Sequence, residues 1–341
     1  MKNWRISSIR KQPNKSRFLC GLGLLVVLLA LASLCFGAVP LTPEEILGAF
    51  LGGTRDSAAS QIVLLARLPR TCGCLLAGAA LAVSGTVIQG VLDNPLASPN
   101  IIGVNSGAGL LVAVSCALFP NAVTLIPFTA ILGAAGAVFL VLFLAERTGA
   151  SRITLVLAGI AVSGIFSAGI DAVVTFVPEA LNGYSDFRIG GLANLSMTRV
   201  APAFWIILVA MLLVLSLSGE LDVLLLGTET ARSLGLPAKQ LRLTLLALAA
   251  ALAGAAVSFA GLLGFVGLMV PHIMRRLLGA ESLPLLLASA LGGASLLTLC
   301  DLLARLLFAP YELPVGIVLA LAGGPFFIWL LLRQRGRRSH A

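Results

Sequence analysis

The sequence predicts an all-α integral membrane protein of about ten transmembrane helices, and three observations carry that prediction. First, 59% of the 341 residues are hydrophobic, and the mean hydropathy is +1.04. Second, only 11% are charged, where a soluble domain carries roughly a quarter. Third, the apolar residues fall into runs near the roughly 20 residues that a helix needs to cross a bilayer. Those runs are 18–38, 67–92, 101–118, 123–145, 153–176, 200–217, 241–260, 262–278, 284–307 and 315–332.

The ends come next. Residues 1–17 form a basic tail holding Lys2, Arg5, Arg10, Lys11, Lys15 and Arg17. Residues 333–341 form another, with Arg333, Arg335, Arg337 and Arg338. Between them, 18–332 reads as one transmembrane domain. The net charge of +9 raises nucleic acid as a partner, but its location at the ends of apolar spans points to anionic lipid headgroups instead. The first apolar run, Phe18–Phe36, exceeds the usual signal-peptide core of about 7–15 residues and reads as an uncleaved span. An even number of spans puts both tails on one side. With that side cytoplasmic, all Lys and Arg except Arg55, Arg67, Arg70, Arg188, Arg199 and Arg305 are cytoplasmic, as the positive-inside bias expects.

The second and third spans are joined by an unusual segment. An apolar helix-length run ends in Asp93, Asn94, Pro95, Pro99 and Asn100, followed by small residues from Gly103 to Gly109. Non-helical backbone at membrane depth survives only inside protein or beside water, because each unpaired group costs several kcal/mol in hydrocarbon. Such a break suggests a transport pathway rather than an anchor. GAALAVSG at 78–85 and AAALAGAAVSFAG at 249–261 echo one another and start from opposite sides, as an inverted repeat would; chance agreement among Gly and Ala is the competing explanation.

Charged residues inside spans are few. Asp301 has Arg305 four residues on, on the same helical face, which predicts an internal pair. Asp171 has no local partner, and it reads either as a hydrogen-bonded packing residue or as part of a pathway. His272 after Pro271 reads as structural, with a contact role near the inner face as the alternative. Cys72 and Cys74 make a CxC without a nearby His, so neither a metal site nor a disulfide is expected.

No Walker motif closes on any of the four lysines, Lys2, Lys11, Lys15 and Lys239. The chain itself is therefore expected to bind no ATP and to catalyse no covalent step. If it moves solute uphill, the energy comes from a partner or from an ion gradient. The inner loop 219–240 contains LGTETARSLG, which reads as a short helix started by Gly227 and Thr228 and stopped by Gly235 and Pro237. From the residues alone this is equally a partner-docking helix or a solvated turn. Likewise Arg67, Arg70 and Arg305, near the outer ends of spans, read as snorkelling residues or as a recognition site.

Several ordered tracts resemble one known family. RLPR at 67–70, GAALAVSG, and NPLASPNIIGVNSGAG at 94–109 are similar to the signature of permease subunits of ABC importers for iron-siderophores, haem and cobalamin. LGTETARSLG, GLLGFVGLMVPHIMRR (261–276), the DxxAR element ending at Arg305, and ELPVGIVLALAGGPFFIWLL (312–331) are similar to further motifs of that family. The resemblance runs from about Arg67 to Leu332. It implies the type II importer permease fold, with an inverted repeat relating spans two to five and seven to ten. It implies two ATPase subunits that use ATP on the inner face, an extracytoplasmic solute-binding protein, and a second copy of this chain or a similar permease. It places the chain in the plasma (inner) membrane of a prokaryote, with both termini cytoplasmic, no nucleic acid partner and no cofactor of its own.

The resemblance also implies roles. Arg67, Arg70 and Arg305 would receive acidic residues of the binding protein, a task suited to the planar guanidinium fork. Glu220, Glu229, Ala231, Arg232 and Gly235 would contact the ATPase. Gln89, Asn94, Pro95 and Asp171 are pathway candidates. Thr148 and Ser151, in the Glu146–Thr154 connection, are gate candidates. An iron(III)-siderophore is the expected cargo, with cobalamin and haem as alternatives within the family. A proton- or sodium-driven carrier and a non-transporting scaffold are the alternatives of other classes.

Overall fold

The computed structural model describes residues 14–338 except 38, 52–56, 121, 149–150, 308 and 310. Lys2, Arg5, Arg10, Lys11 and Arg55, and residues 339–341 of the C-terminal tail, lie outside the described residues. Every regular element among those described is helical.

The chain starts with α1 (Lys15–Cys35), followed by the short α2 (Pro43–Phe50) and α3 (Ala58–Gln61). A π-helical stretch, Ile62–Arg67, leads directly into α4 (Leu68–Leu92). A 3-10 turn at Pro99–Ile102 precedes α5 (Val104–Leu118), and then come α6 (Ile126–Arg147) and α7 (Arg152–Phe176). The short α8 (Ala180–Ile189) connects to α9 (Met197–Ser216), followed by α10 (Ser218–Leu225) and α11 (Thr228–Ser233). The last four are α12 (Ala238–Ala260), α13 (Val266–Leu278), α14 (Ser282–Leu306) and α15 (Val315–Arg338).

Each of the ten predicted spans falls on one helix: α1, α4, α5, α6, α7, α9, α12, α13, α14 or α15. Among the described residues, seven helices are long and apolar enough to cross a membrane, and Val104–Leu118 and Val315–Leu330 are shorter apolar helices. The thirteen residues of α13 reach only about 20 Å at 1.5 Å per residue, short of a bilayer core. Both α5 and α13 are therefore half-length helices, and both follow irregular backbone. The break before α5 was legible in its prolines and asparagines. The break before α13 was not, and the predicted span 262–278 loses its first residues to a non-helical, bent segment that ends at Phe265, with φ of 65°. This segment is tolerated because protein satisfies it: Leu262 N–H donates to Phe187 C=O at 2.9 Å, and Gly191 N–H to Ala260 C=O at 3.1 Å.

The predicted start of the second span also shifts. Ala58–Leu92 is one continuous 35-residue helix, so the RLPR tract lies about ten residues inside it. Pro69 cannot donate to the preceding turn, and the widened π stretch just before it absorbs that defect.

Helix α4 is the centre of the bundle: 83% of its most apolar window is buried, against 6% for α1. It packs on α12, α13 and α14. The contacts repeat under exchange of α4–α7 with α12–α15: α4 meets α14 as α12 meets α6, and α5 meets α6 as α13 meets α14. The echo at 78–85 and 249–261 therefore marks equivalent helices of an inverted repeat. At the first crossing, a Cβ on Gly78 would sit 2.2 Å from the Gly293 carbonyl oxygen, and one on Gly293 2.1 Å from that of Gly78. Small residues let these two backbones touch, which is how helices associate where lipid removes the hydrophobic drive. Gly78→Val should therefore cost about 3 kcal/mol or more, since backbone on the facing helix cannot yield as a side chain can. Denaturant unfolding in detergent reads this directly; a loss below about 1 kcal/mol would mean the helices separate freely.

Candidate functional site

The helix termini sort functional residues to two ends of the bundle. At one end lie the start of α1, where Lys15 pairs with Glu281, and the start of α14. Asp222 of α10 caps that start: its Oδ1 accepts from the Ser282 N–H at 2.9 Å and from the Ser282 hydroxyl at 2.7 Å. At the other end lie the last turn of α1, the RLPR tract, the last turn of α14 and the start of α15.

That second end contains a charge cluster. Asp301 is completely buried and paired on both sides. Arg70 Nη2 lies 3.0 Å from its Oδ1, and Arg305 Nε lies 3.2 Å from its Oδ2. The expected i,i+4 pair of Asp301 with Arg305 is thus formed. Arg70 Nε also donates to both Asp301 oxygens, at 3.0 and 3.1 Å. The other side of Arg70 meets Glu312, whose Oε2 accepts from Nη1 at 2.5 Å. Arg305 donates to the Ser33 hydroxyl at 2.7 Å and to the Ser33 and Phe36 carbonyls at 3.3 Å. Arg67 donates to the carbonyls of Leu34 and Cys35, each at 2.7 Å, and to that of Val39. Two arginines therefore satisfy the orphan carbonyls at the C-terminus of α1, where cations are favoured.

Arg67, Arg70 and Arg305 lie together at this end of the bundle and are 5%, 6% and 2% exposed, with their guanidinium groups turned into the chain. A buried carboxylate and a helix terminus outcompete water for them. Glu312, at the start of the ELP tract, was missed; its side chain is 33% exposed and is the most accessible part of the Arg70–Asp301–Arg305 network.

The opposite end holds α10 and α11. The predicted short helix is α11, with Gly227 at its start. Gly235, at φ of 81°, closes it, allowing Leu236 N–H to reach the Ala231 carbonyl at 3.0 Å. Ala231 is buried beneath the helix, while Glu229, Arg232 and Gly235 are exposed. Leu226 and Leu234 beside them are 56% and 62% exposed, giving this helix an apolar outer face that sequence reading missed. Glu220, in the first turn of α10, is half-buried.

The connection after α6 lies across a cavity from this helix. Thr148 donates to the Leu144 carbonyl at 2.8 Å and terminates α6; Ser151 caps α7 by accepting from Thr154 N–H at 3.1 Å. Lys239 and Glu146 pair at 3.3 Å, and Arg242 donates to the Thr228 hydroxyl at 3.0 Å. A cavity of about 420 Å³ lined by Ser151, Ile153, Gly227, Thr228 and Arg242 separates the two segments. The first turn of α12 thus touches both the connection and α11.

The pathway candidates divide. Gln89 is 2% exposed and braces α4 against α13: its Nε2 reaches the Gly267 carbonyl at 3.3 Å, and its Oε1 accepts from Arg275 at 2.8 Å. It faces no open space in this structure. Asn94 folds its own turn by accepting from Leu96 N–H at 3.0 Å, and Pro95 is exposed next to it. Asp171 is exposed on α7, on a face shared with Gly164, Ala168 and Thr175. His272 packs edge-on against Phe326, and Cys74, Cys116 and Cys300 are buried thiols.

Comparison with known proteins agrees with the fold. The FecCD transport family model matches residues 24–333. The hemin transport system permease HmuU of Yersinia pestis is 39% identical over 323 residues, covering 93% of this chain and 95% of its own. The vitamin B12 import system permease BtuC of Klebsiella pneumoniae is 37% identical over 335 residues, covering 96% and 97%. Among solved structures, a metal-chelate type ABC transporter in an inward-facing conformation superposes with a TM-score of 0.83 at 32% identity, over 93% of this chain and 99% of that one. An all-helical inverted repeat, a broken helix before each half-length span and motif matches along nearly the whole chain converge on one family: the chain belongs to the FecCD transport family, the permeases of type II ABC importers.

Proposed function

We propose that this chain carries an iron(III)-siderophore or a similar metal chelate through the inner membrane, taking it from a solute-binding protein and drawing its energy from two ATPase subunits docked on α11. The observation that carries the reading is Asp171. A carboxylate on the exposed face of an apolar span cannot face hydrocarbon without a cost of several kcal/mol. It therefore faces water or a second permease, which is what a pathway enclosed between two copies of this chain, or between it and a similar permease, requires. Glycine and alanine beside it give that face a smooth lining that holds cargo weakly. Specificity then rests mostly with the binding protein.

The cargo class follows from what the relatives have in common. Hemin and vitamin B12, named for two of them, are both large metal chelates. An iron-siderophore belongs to the same class and is the first choice. The test is uptake by proteoliposomes containing this permease, its ATPase and its binding protein, with ferric siderophore, haem and cobalamin offered in turn. ATP-dependent accumulation of the siderophore is expected. Accumulation driven by a proton or sodium gradient without the ATPase would replace this reading with a secondary carrier. Asp171→Asn separates the two in another way: a pathway lining residue should change uptake by less than about tenfold and leave it ATP-dependent, whereas an obligatory ion-coupling acid would abolish it.

A further inference from the structure

We infer that Glu312 is an internal substitute for a carboxylate of the docking protein, and that docking exchanges one for the other on Arg70. The inference rests on the reading that an extracytoplasmic binding protein engages this end of the bundle.

The cluster is electrostatically incomplete. Among the described residues that compose it are three guanidinium groups, those of Arg67, Arg70 and Arg305, and two carboxylates, those of Asp301 and Glu312, which pair with Arg70 and Arg305 alone. Arg67 is neutralised by no carboxylate of the cluster and rests on backbone carbonyls. Buried positive charge without a full complement of counter-charge attracts an external anion strongly. The two carboxylates differ sharply in accessibility. Asp301 is fully buried and held by two arginines; Glu312 is one third exposed and bonds a single guanidinium nitrogen. Glu312 also stands in the non-helical segment between α14 and α15, next to Tyr311, which is 81% exposed. Glu312 is thus the accessible partner of Arg70, the one with which a carboxylate arriving from outside would compete.

Exchange at this point has a mechanical consequence. Glu312 ties the segment before α15 to α4, and Leu313 N–H bonds the last turn of α14 through the Ala304 carbonyl at 3.2 Å. Replacing Glu312 on Arg70 frees one of these two ties while leaving the Asp301 pairing intact. A docked carboxylate would thereby be sensed at the start of α15, the helix that ends at the opposite face.

The prediction is counter-intuitive for a docking surface: removing an acid should strengthen binding to an acidic partner. In nanodiscs containing the permease–ATPase complex, Glu312→Gln should bind the solute-binding protein of the same importer about 3–10-fold more tightly at low salt, and the gain should shrink with added salt. Arg70→Gln should weaken docking, and Glu312→Gln added to Arg70→Gln should bring no gain, because the effect passes through Arg70. Unchanged or weaker docking by Glu312→Gln, with Arg70→Gln still impaired, overturns the exchange alone. Normal docking by Arg70→Gln overturns the docking reading itself. If Glu312→Gln does not assemble, Glu312→Asp, which withdraws the carboxylate by one methylene, is expected to tighten docking in the same direction; no gain there overturns the proposal.

Discussion

Replacing Asp301 with alanine should cost about 3–5 kcal/mol of stability, because it leaves Arg70 and Arg305 buried on either side of an absent counter-charge. The penalty comes from the survivors rather than from the lost bond. Arg305 would retain only Ser33 and the α1 carbonyls, and Arg70 only Glu312. Removing the buried charges together, as Arg70→Met with Asp301→Leu and Arg305→Met, should therefore be milder than the single substitution, since apolar replacements of similar volume desolvate at no cost. Unfolding of the detergent-solubilised protein, read beside its yield in the membrane, measures both. A triple variant as unstable as Asp301→Ala would mean that the cluster's shape matters more than its charge.

The second large effect should appear at the opposite end and leave stability alone. Leu234→Glu combined with Arg232→Glu converts the exposed face of α11 from apolar and basic to acidic without touching Ala231 beneath it. Association with the ATPase should weaken by at least about tenfold, the scale of one interface hot spot, and ATP-driven uptake should fall with it. Co-purification of the two subunits and uptake by proteoliposomes read the two consequences, with unfolding as the control. Undiminished association would remove α11 from the coupling interface. Gly235 is a poorer probe, because at φ of 81° any side chain strains the backbone as well as altering the surface.

The two ends of the bundle were legible in the sequence to different degrees. Helix α11 appeared where its caps predicted, because Gly227, Thr228 and Gly235 act on their own neighbours. The arginines at the other end were found as residues, but the partners of Arg67 and Arg70 were not. Nothing within a few positions of Arg70 indicates burial; its partners Asp301 and Glu312 are 231 and 242 residues away in sequence. Asp301–Arg305, spaced four apart, was readable for the opposite reason. Gln89 illustrates the same limit, since nothing near it in sequence announces its carbonyl partners on α13.

The sequence by itself determined the membrane class, the apolar helices, the family and the position of α11. All of these follow from local properties: windows of hydropathy, caps and contiguous motifs. Only the tertiary structure decided that RLPR lies inside a helix, that the second half-length span starts at Val266, and that the motifs carrying Arg70, Asp301, Arg305 and Glu312 close into one buried charge cluster. The physical reason is that a guanidinium group is placed by whatever counter-charge the fold brings within about 3 Å, and an inverted repeat brings together residues that the chain keeps far apart.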